Sequence, residues 1–205
     1  MKAVLVSGIH TTANEGGMYN LAVLLRSMGV SVRVYAYPKR WALFSVWFKR
    51  VRDKDAKGLL HFCEGDGSEV IISHSNGSLV TQDAMQLGLK TKGWISLGGA
   101  ATSDKVFYSD SNFEWAISVY NPHDLALKVG SWIPFHGFGK LGCEGYRGDP
   151  NGGFDTRWKN VNGASNKALD IDHSHYTGRE IKQWAEFIYN NIKEGHSQLG
   201  IIREV

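Results

Sequence analysis

Short apolar runs alternate along the chain with longer stretches in which apolar residues recur at helical spacing. The runs are rich in β-branched and aromatic residues, a composition and length that predict strands buried in a sheet. The predicted strands cover residues 3–7, 30–35, 69–72, 94–97 and 115–120, with a weaker sixth strand at 157–161.

The stretches between these runs predict helices. The predicted helices cover residues 17–28, 39–54, 76–87 and a final segment with an apolar face from Ile181 to Ile192. Gly29 and Gly88 supply natural helix stops. Thr177 and Glu180 have the spacing of a capping box, which predicts the start of the final helix.

The alternation of strands and helices predicts an α/β fold. We expect a mostly parallel sheet of about six strands with helices on both faces, in one domain over residues 1–205. Ligands in such sheets bind beyond the carboxyl ends of the strands. The pocket is therefore expected beside the segments that begin near residues 9, 36, 74, 98, 121 and 162.

The composition narrows the classes of protein to consider. The 205 residues carry a net charge of +3, which does not favour a nucleic-acid partner. The N-terminal apolar run is too short for a signal peptide and no stretch has the length of a membrane span, so we expect a cytoplasmic protein without stable membrane insertion. Cys63 and Cys143 match no zinc or redox spacing, and we expect no metal.

A glycine-rich segment at residues 137–142 formally matches the dinucleotide-binding fingerprint. That fingerprint requires a preceding strand and a helix that opens at the glycines. Neither is predicted here, because Gly145, Gly148 and Pro150 follow. We therefore expect no dinucleotide and no other organic cofactor.

The residues that suggest chemistry are Ser73-His74-Ser75-Asn76-Gly77, between the third predicted strand and the helix after it. A serine on a sharp strand-to-helix turn exposes its hydroxyl at the top of the sheet, while the helix N-terminus directs backbone N–H groups towards developing negative charge. The usual spacing is Gly-x-Ser-x-Gly, and Ser73 stands in place of the first glycine. The setting predicts a nucleophile at Ser75; a serine-rich helix cap is the alternative.

In this setting the chain resembles the α/β-hydrolase superfamily over nearly its whole length. The resemblance implies a triad in the order nucleophile, acid, histidine. Asp124 follows the fifth predicted strand in Asn-Pro-His-Asp and is the implied acid, although an aspartate beside proline is also common in plain turns. His173, in Asp-His-Ser-His before the final helix, is the implied base, and His175 is the alternative.

The resemblance also implies an oxyanion hole. Its donors are expected to be the backbone N–H of Asn76 and one from the loop after the first strand, around Ile9 and His10. Family members often carry His-Gly in that loop, whereas this chain has Ser7-Gly8-Ile9-His10. His10 is expected either in the pocket or as a hydrogen-bonded loop histidine.

The connection between the fourth and fifth predicted strands is too short for a large lid. We therefore expect an open pocket with an aromatic rim formed by Trp41, Phe44, Phe107, Tyr108, Trp132 and Phe135. Packing of the stripe at residues 41–51 on the sheet is the alternative for the first two. The sequence thus favours a serine hydrolase that cleaves a small-molecule ester or thioester through an acyl-serine intermediate, and a non-catalytic binding protein of the same fold is the alternative.

Overall fold

A sheet that is parallel throughout organises the part of the chain that the computed structural model describes, which is residues 1–8, 16–36, 49–63, 69–103, 112–132, 139–148, 157–163, 173 and 175–195. The strands are β1 (Lys2–Val6), β2 (Ser31–Tyr35), β3 (Val70–His74), β4 (Thr91–Leu97), β5 (Phe113–Tyr120) and β6 (Trp158–Asn162). They lie in the order β2-β1-β3-β4-β5-β6, and each neighbouring pair is parallel. The predicted sheet of six strands is confirmed.

Helices cover both faces of this sheet, as predicted. They are α1 (Gly17–Ser27), α2 (Lys49–Phe62), α3 (Asn76–Gln86), α4 (Leu125–Trp132), the short α5 (Leu141–Glu144) and α6 (Ile181–Glu194). Helices α1 and α6 pack on one face, and α2 and α3 pack on the other. No helix within these described ranges combines the length and the apolarity that crossing a membrane would require.

The alternation of side chains along β3 explains why the sheet has two cores. Val70 and Ile72 pack in the cluster under α1 and α6, whereas Ile71 packs in the cluster under α2 and α3. Successive side chains of a strand point to opposite faces. Ser73 and His74, the last two residues of β3, therefore also point to opposite faces.

The predicted helix at residues 39–54 is wrong at its end. Helix α2 continues to Phe62, because Ala56 and Leu59, both fully buried, extend its apolar face beyond Lys54. The first part of the prediction, residues 39–48, lies outside the described residues. Asp55 and Lys57, which flank Ala56, and the helix-weakening Gly58 conceal this continuation in the sequence.

The boundaries marked by glycine are correct, but the predicted capping box is wrong. Gly29 and Gly88 follow α1 and α3 with φ of +87° and +103°, a conformation that glycine adopts without strain. Helix α6 begins after Glu180, and no side-chain hydrogen bond caps it. Thr177 belongs to the preceding turn of 3-10 helix and packs against the start of α1. A Cβ on Gly17 would lie 2.4 Å from the Cβ of Thr177.

The glycine-rich segment after α4 packs on the backbone that follows β4. Gly139 N donates to Ala100 O at 2.7 Å, and Gly142 N donates to Gly99 O at 2.8 Å. The carbonyl of Gly142 accepts from Asn121 N at 2.8 Å. The glycines of this segment thus allow three stretches of backbone to meet beyond the ends of β4 and β5.

Candidate active site

The turn after β3 holds Ser75 in a strained conformation. Its φ of 55° and ψ of −128° make it the one non-glycine residue with positive φ among those described. Ser75 N donates to Leu97 O at 3.2 Å, and Ser75 O accepts from Ser78 N and Ala100 N, each at 3.0 Å. Strain of this kind costs on the order of 1–3 kcal/mol and persists only where the surroundings impose it. The hydrogen bonds to β4 and α3 impose it here.

The residues after Ser75 fit tightly against β1. A Cβ on Gly77 would lie 2.5 Å from Val6 O and 2.7 Å from Ser7 O, so only glycine fits. Asn76 is fully buried at the start of α3. The first turn of α3 is thus pressed against the end of β1, which explains the small residue that the spacing requires after the serine.

Ser73, which replaces the usual first glycine, is held by buried polar side chains. Trp94 Nε1 donates to Ser73 Oγ at 2.8 Å, and Ser73 Oγ lies 2.8 Å from Ser78 Oγ. Ser78 Oγ lies a further 2.9 Å from Ser96 Oγ. This chain of hydroxyl groups beneath the turn accounts for the departure from the glycine pattern, because the extra side chain finds partners in the core.

Asp124 lies in the turn between β5 and α4, and its side chain is fully buried. Its Oδ1 accepts from Leu127 N at 3.0 Å, which caps the start of α4. Its backbone N donates to Asn121 O at 3.1 Å and its backbone O accepts from Lys128 N at 3.1 Å. Asp124 therefore stabilises a turn, which was the alternative interpretation of this residue in the sequence. Its Oδ2 takes no part in the turn and can contact another residue.

Asp124 Oδ2 contacts His173, so the structure brings together two of the three residues of the predicted triad. His173 Nδ1 lies 2.5 Å from Asp124 Oδ2. The His173 side chain is 18% exposed, whereas that of Asp124 is fully buried. His175 begins the turn of 3-10 helix before α6, and its side chain lies outside the described part of the chain.

Gly98 shows how close the His173 imidazole comes to the turn that carries Ser75. A Cβ on Gly98, whose φ is +50°, would lie 3.6 Å from His173 Cε1 and 2.9 Å from Tyr176 Cε2. The preceding residue, Leu97, accepts the hydrogen bond from Ser75 N. Ser75 Oγ makes no hydrogen bond to His173 in this structure; such contacts are commonly long before a substrate binds.

The loop after β1 begins beside Ser75, at the place predicted for the second oxyanion donor. A Cβ on Gly8 would lie 3.2 Å from Ser75 Cβ and 3.4 Å from His74 O. Ile9 and His10 themselves lie outside the described residues. The backbone of Asn76 starts α3 directly after Ser75.

The predicted aromatic rim lies almost entirely outside the described residues. This applies to Trp41, Phe44, Phe107, Tyr108 and Phe135. Trp132 is the last residue of α4, and its side chain is not described.

Cys143 is a second potential nucleophile close to Asp124. Its Sγ donates to Asp124 O at 3.8 Å. Burial, and then the negative charge of Asp124, raise the pKa of Cys143 to about 11. Because the thiolate is the reactive form, the neutral Cys143 thiol is a poor nucleophile near pH 7.

Sequence reasoning assigned no individual role to several residues that shape this site, although Gly98 and His74 begin segments that were expected to border the pocket. Gly98 makes room for His173 and Tyr176, and Leu127 supplies an N–H to Asp124. His74 donates a hydrogen bond to the main chain of His173. Gly98 and His74 had a positional signal, since each begins a segment after a predicted strand. The contacts that these two residues and Leu127 make depend on the tertiary structure.

Solved structures with a similar fold are known. The chain is similar to an inferred hydrolase of the alpha/beta superfamily from Xanthomonas campestris pv. campestris, with a TM-score of 0.53 and 12% identity over 94% of this chain and 96% of the other. A cutinase-like protein from Cryptococcus sp. matches 95% of this chain and 93% of its own, with 12% identity and a TM-score of 0.47. No family model and no curated protein matches the sequence. The first likeness shows that the chain has the α/β-hydrolase fold.

Proposed function

We propose that this protein is a serine hydrolase that cleaves a carboxylic ester or thioester through an acyl-serine intermediate. Ser75 is the nucleophile, His173 the general base and Asp124 the acid that orients it. The observation that carries the proposal is the 2.5 Å contact between His173 Nδ1 and the buried Asp124 Oδ2, beside the strained turn of Ser75. A binding protein would have no need of that strain.

The roles of these three residues follow from which nitrogen of His173 already has a hydrogen-bond partner. Asp124 engages Nδ1 of His173, so Nε2 is the ring nitrogen left to accept the proton of Ser75. The Ser75 oxygen attacks the ester carbonyl carbon as its proton passes to Nε2. When the tetrahedral intermediate collapses, the bond to the alcohol or thiol breaks and the leaving group takes that proton. Water then attacks the acyl-serine in the same way and releases the acid.

The negative charge that develops on the carbonyl oxygen needs donors. The N–H of Asn76 at the start of α3 is one, and the loop that begins at Gly8 supplies the other through Ile9 or His10. No cofactor enters this mechanism.

A fluorophosphonate probe tests the nucleophile. Its phosphorus forms a bond with Ser75 Oγ as fluoride leaves, and intact mass with peptide mapping locates the adduct. We expect one adduct, at Ser75, and a fall in ester turnover of about 10⁶-fold in Ser75→Ala. Ser27→Ala, at an exposed position on α1, is the control. An unlabelled natural protein would favour the non-catalytic binding protein, and an adduct at another serine would refute the assignment.

The base is tested by two alanine variants. His173→Ala is expected to be nearly inactive, whereas His175→Ala keeps most of its activity, because His173 is the histidine in contact with Asp124. The reverse result would assign the role of general base to His175 and would leave the proposed reaction class unchanged.

The pocket is proposed to accept short and medium acyl chains. The connection from β4 to β5 covers only residues 98–112, which is too short for a covering domain. The rim is assigned to the aromatic residues Trp41, Phe44, Phe107, Tyr108, Trp132 and Phe135. In a series of p-nitrophenyl esters, the highest kcat/KM on long chains would contradict this proposal. Trp41→Ala is expected to raise KM more than it lowers kcat.

A further inference from the structure

His74 is the last residue of β3 and directly precedes Ser75. Its side chain points to the same face as Val70 and Ile72, opposite to Ser73, because side chains alternate along a strand. It is buried, with 8% of its surface exposed. A polar ring on this face, next to the proposed nucleophile, requires polar partners.

The ring of His74 lies against the segment that carries the proposed base. His74 Nε2 is 3.1 Å from His173 O. The two imidazole rings have centroids 5.0 Å apart with an interplanar angle of 31°. The Tyr176 ring adds a T-shaped contact with His74, with a centroid distance of 6.3 Å.

The direction of the hydrogen bond fixes the tautomer of His74. A carbonyl oxygen only accepts, so His74 Nε2 carries the proton and donates it to His173 O. The other ring nitrogen, Nδ1, lies on the side of the loop after β1, 3.5 Å from where a Cβ on Gly8 would be. His74 thus lies between the histidine segment and the loop assigned to the oxyanion hole.

We propose that His74 is a positioning residue for the hydrolysis described above, an inference that rests on the proposed function. By donating to the main-chain carbonyl of His173, it sets the direction from which the His173 imidazole approaches Ser75. It does not itself touch the reacting atoms.

Two contacts at opposite ends of His173 support this role. Asp124 holds the far side of the imidazole at Nδ1, and His74 holds the main-chain oxygen. With only the first contact, the ring keeps its partner but the backbone beneath it moves. A displacement of about 1 Å at a reacting group costs on the order of 10²-fold in rate. The second contact therefore matters more for turnover than for substrate binding.

Three substitutions separate the hydrogen bond from the bulk of the side chain. His74→Phe keeps a ring and removes the donor. His74→Gln keeps a donor, because its amide nitrogen reaches the place of Nε2. His74→Asn carries the same amide on a chain one methylene shorter and does not reach His173 O. The Gln and Asn variants decide the question even if the Phe variant does not fold.

Three measurements are made on each variant: the rate of fluorophosphonate labelling at Ser75, kcat and KM on a short p-nitrophenyl ester, and amide hydrogen exchange in His175–Thr177. We expect labelling and kcat to fall about 10- to 100-fold in the Phe and Asn variants, with KM nearly unchanged and exchange accelerated. The Gln variant is expected to stay within about 3-fold of the natural protein in both rates, because its donor is kept.

The possible outcomes separate this inference from the proposed function. If the natural protein labels at Ser75 and the Asn variant labels equally fast, the positioning role is refuted and the hydrolase stands. Equal losses in the Gln and Asn variants, or a loss confined to KM, would also refute it. If the natural protein does not label, the proposed function fails and the positioning role fails with it, whatever the exchange rates show.

Discussion

Asp124 and Asp55 are both buried aspartates, but the structure surrounds them differently. Asp124 is fully buried, and each of its carboxylate oxygens contacts a nitrogen atom. Oδ1 contacts the backbone N of Leu127, and Oδ2 contacts Nδ1 of His173. Asp55, on α2, is 7% exposed, and its Oδ2 has no hydrogen-bond partner. Burial raises the pKa of Asp55 to about 6, and the positive charge of Lys54 opposes only part of that rise.

The difference shows that hydrogen-bond donors, more than the extent of burial, decide whether the ionised form of a buried carboxylate is stabilised. An ionised carboxylate out of water is stabilised only by hydrogen bonds or by opposite charge. Asp124 receives these from a helix start and an imidazole. Asp55 does not receive them at Oδ2, so its charged form is disfavoured.

The largest expected effect is on activity, in Asp124→Asn. The amide oxygen can still accept from Leu127 N, but the amide nitrogen would face His173 Nδ1 and reverse the tautomer that the reaction needs. We expect ester turnover to fall by about 10⁴-fold with little change in melting temperature. Steady-state kinetics and thermal unfolding measure both. An active Asp124→Asn variant would require another carboxylate in the role.

The second effect is on stability and its pH dependence, in Asp55→Asn. The contribution of a carboxyl with a raised folded pKa is present below its unfolded pKa, 3.8, and is lost as the pH rises through about 6. Asp55→Asn has no carboxyl at this position, so its free energy of unfolding does not fall for this reason as the pH rises. Between about pH 4.5 and about pH 8 its free energy of unfolding should therefore gain roughly 2 kcal/mol on the natural protein.

Urea unfolding at both pH values measures this gain, and ester turnover should not change. Glu186→Gln removes an exposed carboxyl of α6 and is the matched control for the loss of one acidic side chain. If Asp55→Asn and the natural protein differ in free energy of unfolding by the same amount at both pH values, burial does not disfavour the charged form of Asp55. The contrast drawn with Asp124 would then be wrong.

A third effect concerns the cap that Asp124 places on α4. Asp124→Ala and Asp124→Asn are both expected to be inactive, but only the Ala variant loses the acceptor for Leu127 N. We expect the Ala variant to be less stable than the Asn variant by about 1 kcal/mol. Equal stability of the two would show that Asp124 serves His173 alone.

An effect on stability of similar size is expected in Tyr35→Phe. Tyr35 OH donates to the backbone O of Asp55 at 2.8 Å, not to its carboxylate. Its loss should lower the free energy of unfolding by about 1 kcal/mol. The pH dependence due to Asp55 should persist, because burial is its main cause. Loss of that pH dependence in Tyr35→Phe would show that the hydroxyl, and not burial, governs Asp55.

The sequence was sufficient for the sheet, whereas the order of the candidate triad came from the resemblance to α/β-hydrolases and stays a prediction. Buried parallel strands leave a local signature, as in the apolar run of β3, and Gly88 ends a helix by its own conformational freedom. Ser75 was predictable because a tight turn restricts its neighbours to small residues. The choice of Asp124 combined that resemblance with the place of this residue after β5.

The parts that could not be predicted depend on contacts distant in the sequence. Helix α4 was missed because Leu125 and Val129 are about half exposed, so apolar and buried positions do not coincide there. Asp55 lies between Lys54 and Lys57 in this part of the sequence, and nothing local to it indicates burial. The partner of His74 is 99 residues away.

The position of β1 between β2 and β3 has a consequence for how a newly made chain folds. Parallel neighbours need long crossovers, and the β1–β3 pairing closes a loop over residues 7–69. At roughly 5–20 residues per second, β1 waits on the order of several seconds for β3 to be synthesised. During that time the apolar residues of β1 and one edge of its backbone are uncovered, a condition that favours aggregation. A chaperone that binds β1 before β3 has been made should therefore raise the yield of folded protein more than one that acts on the finished chain.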